Sequence, residues 1–274
     1  MTGIPGLKIV ISDQGHGTMS LTNFMNNGFR INDRRFDHFL RQLKSYPAFY
    51  WSVIKNRLLF LRSCGIDTEN IFCPTLGLTD EIVVIKAFNA RYFEGSGFFW
   101  KSSASLDAVI TDVLDLTFMF LPADCPIVIL FDQRRHVLAQ VHCGRENILK
   151  NIVGKTANVM KKEFFSDASD IVVWISPHLC RDCHVLSFLE FLNNPEYEKI
   201  KPAIAETEGG WSFDMRLAIE IQLSHEGIDN LVPSPTVCTL CGEENFFSHR
   251  GWSIRHPEHA NPGRFAVLAK MTQF

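Results

Sequence analysis

The sequence predicts a layered α+β fold in a single domain, residues 1–274. Three observations point there. Strand-like runs outnumber what a strictly alternating βα chain would show. The apolar runs Pro126–Phe131 and His136–Val141, parted by the polar quartet AspGlnArgArg (132–135), read as a hairpin. Its apolar residues fall on both faces, Ile127, Ile129 and Phe131 on one and Val128, Leu130, Val137, Ala139 and Val141 on the other, so it is covered from both sides. No linker, repeat or low-complexity segment divides the chain.

Composition narrows the function classes. Of 274 residues 46% are hydrophobic and 21% charged, the balance of a globular protein with a large core. The 23 Phe against 4 Tyr favour thick apolar layers over a solvated binding face. A net charge of −3 offers no basic field, so nucleic acid is not an expected partner. The longest apolar stretch, Leu116–Phe131, is too short for a bilayer and is cut by Asp124 and two prolines, so no membrane span is expected. The N-terminus lacks a basic leader, and the default location is cytoplasmic, with the eight Cys reduced.

Taken in order, residues 6–12 form a first strand and Asp13–Asn27 a polar loop in which His16 sits at a surface turn. Apolar spacing predicts two helices within Arg35–Cys64, separated by Pro47, the second closed by Gly65. Strands follow at 70–73 and 81–87, a polar loop at 91–105, and strands at 106–112 and 116–121. Beyond the hairpin, 148–165 reads as one amphipathic helix and 170–175 as a strand. Helices are expected at 186–192, 196–204 and 215–225, the last closed by Gly227. Extended pieces at 237–239 and 246–249 precede a last strand at 265–271.

The hairpin carries the first candidate site. A turn centred between Gln133 and Arg134 makes Cys125 and His142 face each other at the hairpin mouth. A thiol against an imidazole can act as a nucleophile–base pair or as two ligands of one metal. Register decides this, since a slip of one residue sends the side chains to opposite faces. The alternative fate of Cys125 is a buried structural thiol. A second signal is the pair Cys180-x-x-Cys183 and Cys238-x-x-Cys241, with His178 and His184 as alternative ligands. The 54 intervening residues leave the site unclosed by sequence, so incidental thiols in two loops are favoured over a structural zinc. GluAsnPhePheSerHisArg (244–250) and AsnProGlyArg (261–264) set aromatics beside Arg250 and Arg264. That combination stacks a base or meets phosphate, unless the segment is simply a strand entering the core.

The ordered segments AlaAspCysProIleValIleLeu (123–130) and ValHisCysGly (141–144) resemble the signature of the YfiH-like laccase-domain, or multicopper polyphenol oxidase, family. Ser12–Ser20, AsnArg (56–57), LeuAspAlaValIleThr (106–111), SerProHisLeu (176–179), PheAspMetArg (213–216), ValCysThr (237–239), PhePheSerHisArg (246–250) and GlyArg (263–264) follow the family's order. The resemblance implies an α/β/β/α fold with mixed sheets. It implies zinc held by His, Cys and His, and enzymes that phosphorolyse purine nucleosides and deaminate adenosine. Carried over, Cys125 and His142 are catalytic and metal-binding, and Asp124, Arg250 and Arg264 bind substrate. Purine nucleosides and phosphate are the expected partners, with a homodimer or a protein partner left open.

The chain departs from the family at telling places. Leu76 stands where the family carries its first zinc His, and a Leu cannot ligate metal. Arg145 and Glu146 replace a Trp and an Arg after the second His. These changes motivate a second reading, a metal-poor paralogue that binds without catalysis. The bare thiol–imidazole pair supports a third, a Cys–His hydrolase or deamidase. Polyphenol oxidation is the fourth and the least supported. Blue copper asks for two His, a Cys and a weak axial ligand, and no His-rich motif for a multicopper cluster is present, so copper is not expected.

Overall fold

The computed structural model describes residues 4–19, 48–66, 70–86, 105–114, 116–187, 194–243, 245–258 and 263–273. In chain order the elements are β1 (Leu7–Ile11), α1 (Ala48–Ser63), β2 (Ile71–Phe72), β3 (Ile82–Ile85), β4 (Ala108–Thr111) and β5 (Thr117–Phe120). The hairpin β6 (Ile127–Asp132) and β7 (Val137–His142) comes next, then α2 (Arg145–Leu149), α3 (Ile152–Glu163), β8 (Ile171–Ile175) and β9 (Val185–Leu186). The chain ends with α4 (Tyr197–Ile200), β10 (Ile204–Thr207), β11 (Gly210–Phe213), α5 (Met215–His225), α6 (His249–Arg255) and β12 (Val267–Met271).

These elements stack as α/β/β/α. A five-stranded sheet, β3-β4-β7-β6-β8, faces a four-stranded sheet, β1-β12-β5-β2, and a small sheet β10-β11-β9 lies apart. Both large sheets are mixed: β3 pairs with β4 and β2 with β5 in parallel, the other pairs antiparallel. Ile127, Ile129, Phe131, Leu138 and Trp174 share the inter-sheet core with Phe72, Phe118, Phe120, Val267 and Ala269. Val128, Leu130, Ala139 and Val141 turn the other way and pack with residues of α3 (Val153, Ala157, Met160) and α5 (Ala218, Ile219, Leu223). Phe60 and Leu61 of α1 cover Ile71, Met119, Ala266 and Leu268 on the outside of the second sheet. The two faces read from the hairpin alternation are the two faces observed. Each fully buried Phe, Leu or Ile in these layers contributes about 1.5–3 kcal/mol relative to exposure. Among the described residues no helix is long and apolar enough to cross a membrane.

Several local expectations are corrected. The helix expected over 148–165 is two, α2 and α3, because Asn151 adopts a left-handed conformation (φ 53°) between them. Apolar spacing runs through such a break without registering it. Residues 185–186 form β9, which pairs with β11, where a helix over 186–192 was expected; 188–193 lie outside the described residues. The helix expected over 196–204 is an α-helix to Ile200 continued by a 3₁₀ turn over Lys201–Ala203, and Ile204 already belongs to the unanticipated hairpin β10–β11. His249 opens helix α6 rather than ending a strand, because Ser248 caps it by accepting from the Gly251 N–H at 3.0 Å. Gly65 does end α1, with φ 61°. The helix expected before Pro47 lies outside the described residues, and so does the loop over 91–105 apart from Ser105.

Candidate active site

The site begins with the turn of the β6–β7 hairpin. The Asp132 carboxylate accepts from the backbone N–H of Arg134 (3.0 Å) and Arg135 (2.9 Å), and His136 takes a left-handed conformation (φ 53°). The turn therefore spans 133–136, and its centre falls one residue later than expected, between Arg134 and Arg135. Ile127, not Cys125, is the direct partner of His142. The shift moves the pairing by two residues, so faces are preserved. Cys125 is still near enough, on the same face, for its thiol to raise the imidazole pKa. Gly144 makes room for the thiol: a Cβ there would lie 3.2 Å from Cys125 Sγ.

A third group completes the arrangement. Pairing of Ala108 with Val141 brings Asp107 opposite His142 across β4 and β7. Asp107 Oδ1 lies 2.7 Å from His142 Nδ1, and the His142 N–H donates to the Asp107 carbonyl at 2.7 Å. The bond to Nδ1 leaves Nε2 for the thiol. The loop before β3 wraps the same carboxylate, which accepts from the Thr79 N–H, from Thr79 Oγ1 at 2.9 Å and from the Gly77 N–H at 3.3 Å. Asp107 is wholly buried and His142 nearly so.

Burial opposes ionisation of both partners, and their mutual bond overrides it. Desolvation would raise the Asp107 carboxyl, but the His142 hydrogen bond and charge and the Thr79 donors hold it below the usual carboxylate range. Desolvation would lower the His142 imidazole, yet the hydrogen bonds to Asp107 and Cys125 and the charges on both raise it to about 9. A pKa raised that far favours the imidazolium at neutral pH. Arg264, on the loop leading into β12 of the other sheet, is half-buried; desolvation lowers its guanidinium pKa while the Cys125 and Asp124 charges counter the loss. It still carries its charge near neutrality. The loop carrying Arg264 is tied in turn: its N–H donates to Thr18 Oγ1 (3.2 Å), and Asn56 and Arg57 donate to the Thr18 and Met19 carbonyls.

Two other expected residues sit beside the thiol in different roles. Asp124 has a positive φ of 86° and is buried. Its carboxylate accepts from Thr239 Oγ1 (2.6 Å) and from the Arg250 N–H (2.7 Å), and its carbonyl accepts from the Leu179 N–H (2.9 Å). The Arg250 guanidinium donates to the Val185 carbonyl. Arg250 thus meets Asp124 through its backbone. His16 caps a turn at the surface, 2.8 Å from Asp13, in keeping with the surface-turn reading. Cys143 points into the helix-covered core, so it does not join Cys125. The sequence reading missed Asp107 and Thr79; the signal for Asp107 was a carboxylate at the mouth of a wholly buried strand.

The zinc expectation meets a donor set of two. Cys125 Sγ and one nitrogen of His142 remain, since Asp107 takes the other nitrogen. Leu76, which stands where the resemblance places the first zinc His, packs against the inter-sheet core. Among the described residues no third His, Cys, Asp or Glu closes a ligand cluster there. Two donors do not make a family-type zinc site. The one cluster of at least three such groups among the described residues is Cys180, Cys183, Cys238 and Cys241, whose sulfurs all lie within 4.8 Å of one another, a geometry able to bind a metal ion. His178 and His184 stand outside it, their Nδ1 atoms bonded to the Ser176 and Phe213 carbonyls.

Comparison with known proteins agrees with this architecture. The chain is 34% identical over 148 residues to a protein of Clostridium acetobutylicum named purine nucleoside phosphorylase, covering 53% of this chain and 60% of that one. It is 27% identical over 156 residues to mouse purine nucleoside phosphorylase LACC1, covering 54% of this chain and 36% of the mouse protein. The match thus spans between about a third and three fifths of these relatives' length. Among solved structures, Neisseria meningitidis protein NMB0706 superposes with a TM-score of 0.68 at 16% identity, covering 98% of this chain and 95% of that one. The hypothetical protein YfiH of Bacillus licheniformis does so at 0.65 and 19%, covering 81% and 82%. Both likenesses concern the fold. Residues 50–272 match the family described as multi-copper polyphenol oxidoreductase laccase, and the chain belongs to that family.

Proposed function

We propose that the protein is a purine nucleoside phosphorylase whose working groups are Cys125, His142 and Arg264, with Asp107 and Asp124 as positioning residues. The observation that carries the reading is the buried Asp107–His142 pair with the half-buried Cys125 thiol and Arg264 beside it. The names of the relatives supply the substrate class. In the reaction a phosphate oxygen bonds to ribose C1′ as the C1′–N9 bond breaks, and the bonding pair leaves with the purine. The departing base takes up a proton, and the one held between His142 and Cys125 is available for it. Asp107 fixes the ring and keeps it charged. Arg264 supplies a fixed cation for phosphate. The products are a free purine and ribose 1-phosphate.

No step here passes through a metal, because among the described residues the site offers two donors. Deamination of adenosine, the other reaction the resemblance implies, asks for water to be deprotonated. An imidazole already protonated at neutral pH is poorly suited to that, so we propose phosphorolysis as the main activity. Chromatography of inosine, guanosine and adenosine incubated with protein, with and without phosphate, tests the reading. Base release that requires phosphate is expected; absence of turnover with every purine nucleoside overturns it.

A second reading has its own observation. Leu76 fills with hydrocarbon the place where the family carries a ligand. On that reading the chain retains nucleoside binding and lacks catalysis. Equilibrium dialysis with labelled inosine separates the two, since binding without turnover favours it.

A further inference from the structure

Four of the cysteines outside the active site, Cys180, Cys183, Cys238 and Cys241, lie on two loops that meet. Cys180 and Cys183 follow β8, and Cys238 and Cys241 precede α6. The loops are joined at a parallel bridge between His178 and Cys238, with backbone bonds from His178 to Val237 (3.3 Å) and from Thr239 to His178 (3.1 Å). Cys180 Sγ and Cys241 Sγ are 3.8 Å apart. Zinc–sulfur bonds of about 2.3 Å place the sulfurs of a tetrahedron about 3.8 Å apart. A disulfide requires about 2.05 Å. The pair therefore stands at a ligand–ligand separation.

The backbone is arranged for a charged sulfur. The N–H groups of Cys180, Leu240 and Cys241 all point at Cys238 Sγ, at 3.3, 3.4 and 3.5 Å. A neutral thiol accepts weakly, so three donors converging on one sulfur serve a thiolate. Four thiolates cannot share this volume without a cation to offset their repulsion. Soft sulfur donors in a tetrahedral set select zinc or iron, and a closed set of four protein ligands leaves no open coordination position.

We infer that Cys180, Cys183, Cys238 and Cys241 bind one structural zinc ion that clamps the loop after β8 to the loop before α6. The clamp bears on the active site through Asp124. Thr239, between two of the ligands, donates to the Asp124 carboxylate, and Leu179, adjacent to Cys180, donates to the Asp124 carbonyl. Asp124 in turn holds the chain at a positive φ beside Cys125. This zinc is separate from the Cys125–His142 pair and does not depend on the proposed reaction.

Elemental analysis of the purified full chain is the test. One zinc per chain is expected in the wild type and in Cys125→Ala. Loss is expected in Cys183→Ser and in Cys241→Ser, the latter changing an exposed side chain and thus least disturbing to folding. Cobalt in place of zinc is expected to show intense thiolate-to-metal charge transfer and the visible bands of tetrahedral sulfur ligation. That spectrum, read on the wild type, keeps the inference testable if both serine variants fail to fold. No zinc in the wild type, iron in its place, zinc lost with Cys125→Ala but retained in Cys241→Ser, or a Cys180–Cys241 disulfide in the purified chain would overturn it.

Discussion

The carboxylate of Asp107 decides the charge of His142, and hence what the site can do. Replacing Asp107 by Asn keeps the shape but removes the anion and lets the imidazole titrate lower. Phosphorolysis is expected to fall by about 10²-fold or more, the scale of a general-acid contribution. The alkaline limb of the kcat/KM pH profile is expected to move to lower pH, a change that mere loosening of the fold would not produce. The same pair makes stability depend on pH. His142 titrates near 9 when folded and near 6.5 when unfolded, so between those values the native state holds the extra proton. Its contribution is complete below about pH 6.5 and is lost as pH rises through 9, on the order of 3 kcal/mol at most. Urea titrations across that window check this, and His142→Gln is expected to flatten the slope.

At the scale of elements, the junction of α2 and α3 shows how one residue sets a helix boundary. Asn151 occupies a left-handed conformation that most side chains resist. Asn151→Ala is expected to cost about 1 kcal/mol, and Asn151→Gly to leave stability nearly unchanged, both read as shifts of the urea midpoint. The hairpin teaches a related lesson. Its alternation showed which side chains share a face, and that part of the reading holds because a two-residue shift preserves parity. The direct partner of His142 was misjudged because the Asp132 carboxylate draws His136 into the turn. Side-chain closure of a turn leaves no trace in the hydrophobic pattern.

At the scale of the molecule, stability rests in the layer between the two large sheets. Phe131 is fully buried there, among residues of both sheets. Phe131→Ala is expected to lower unfolding free energy by about 3–5 kcal/mol. Leu59→Ala, on the exposed side of α1, is expected to change it by no more than about 0.5 kcal/mol, since that side chain is 53% exposed. Equilibrium denaturation of the two variants side by side makes the comparison. The sequence by itself determined the layered architecture, because a hairpin apolar on both faces must be covered on both. It also singled out Cys125 and His142, because strand periodicity places residues of like parity on one face. Only the tertiary structure decided that Asp107 completes the site, since its approach depends on β4 choosing β7 as neighbour across 35 residues. Likewise the two distant CxxC pairs meet through the packing of separate loops. Local spacing fixes which way a side chain points, whereas the partner it meets depends on the order in which strands and loops pack.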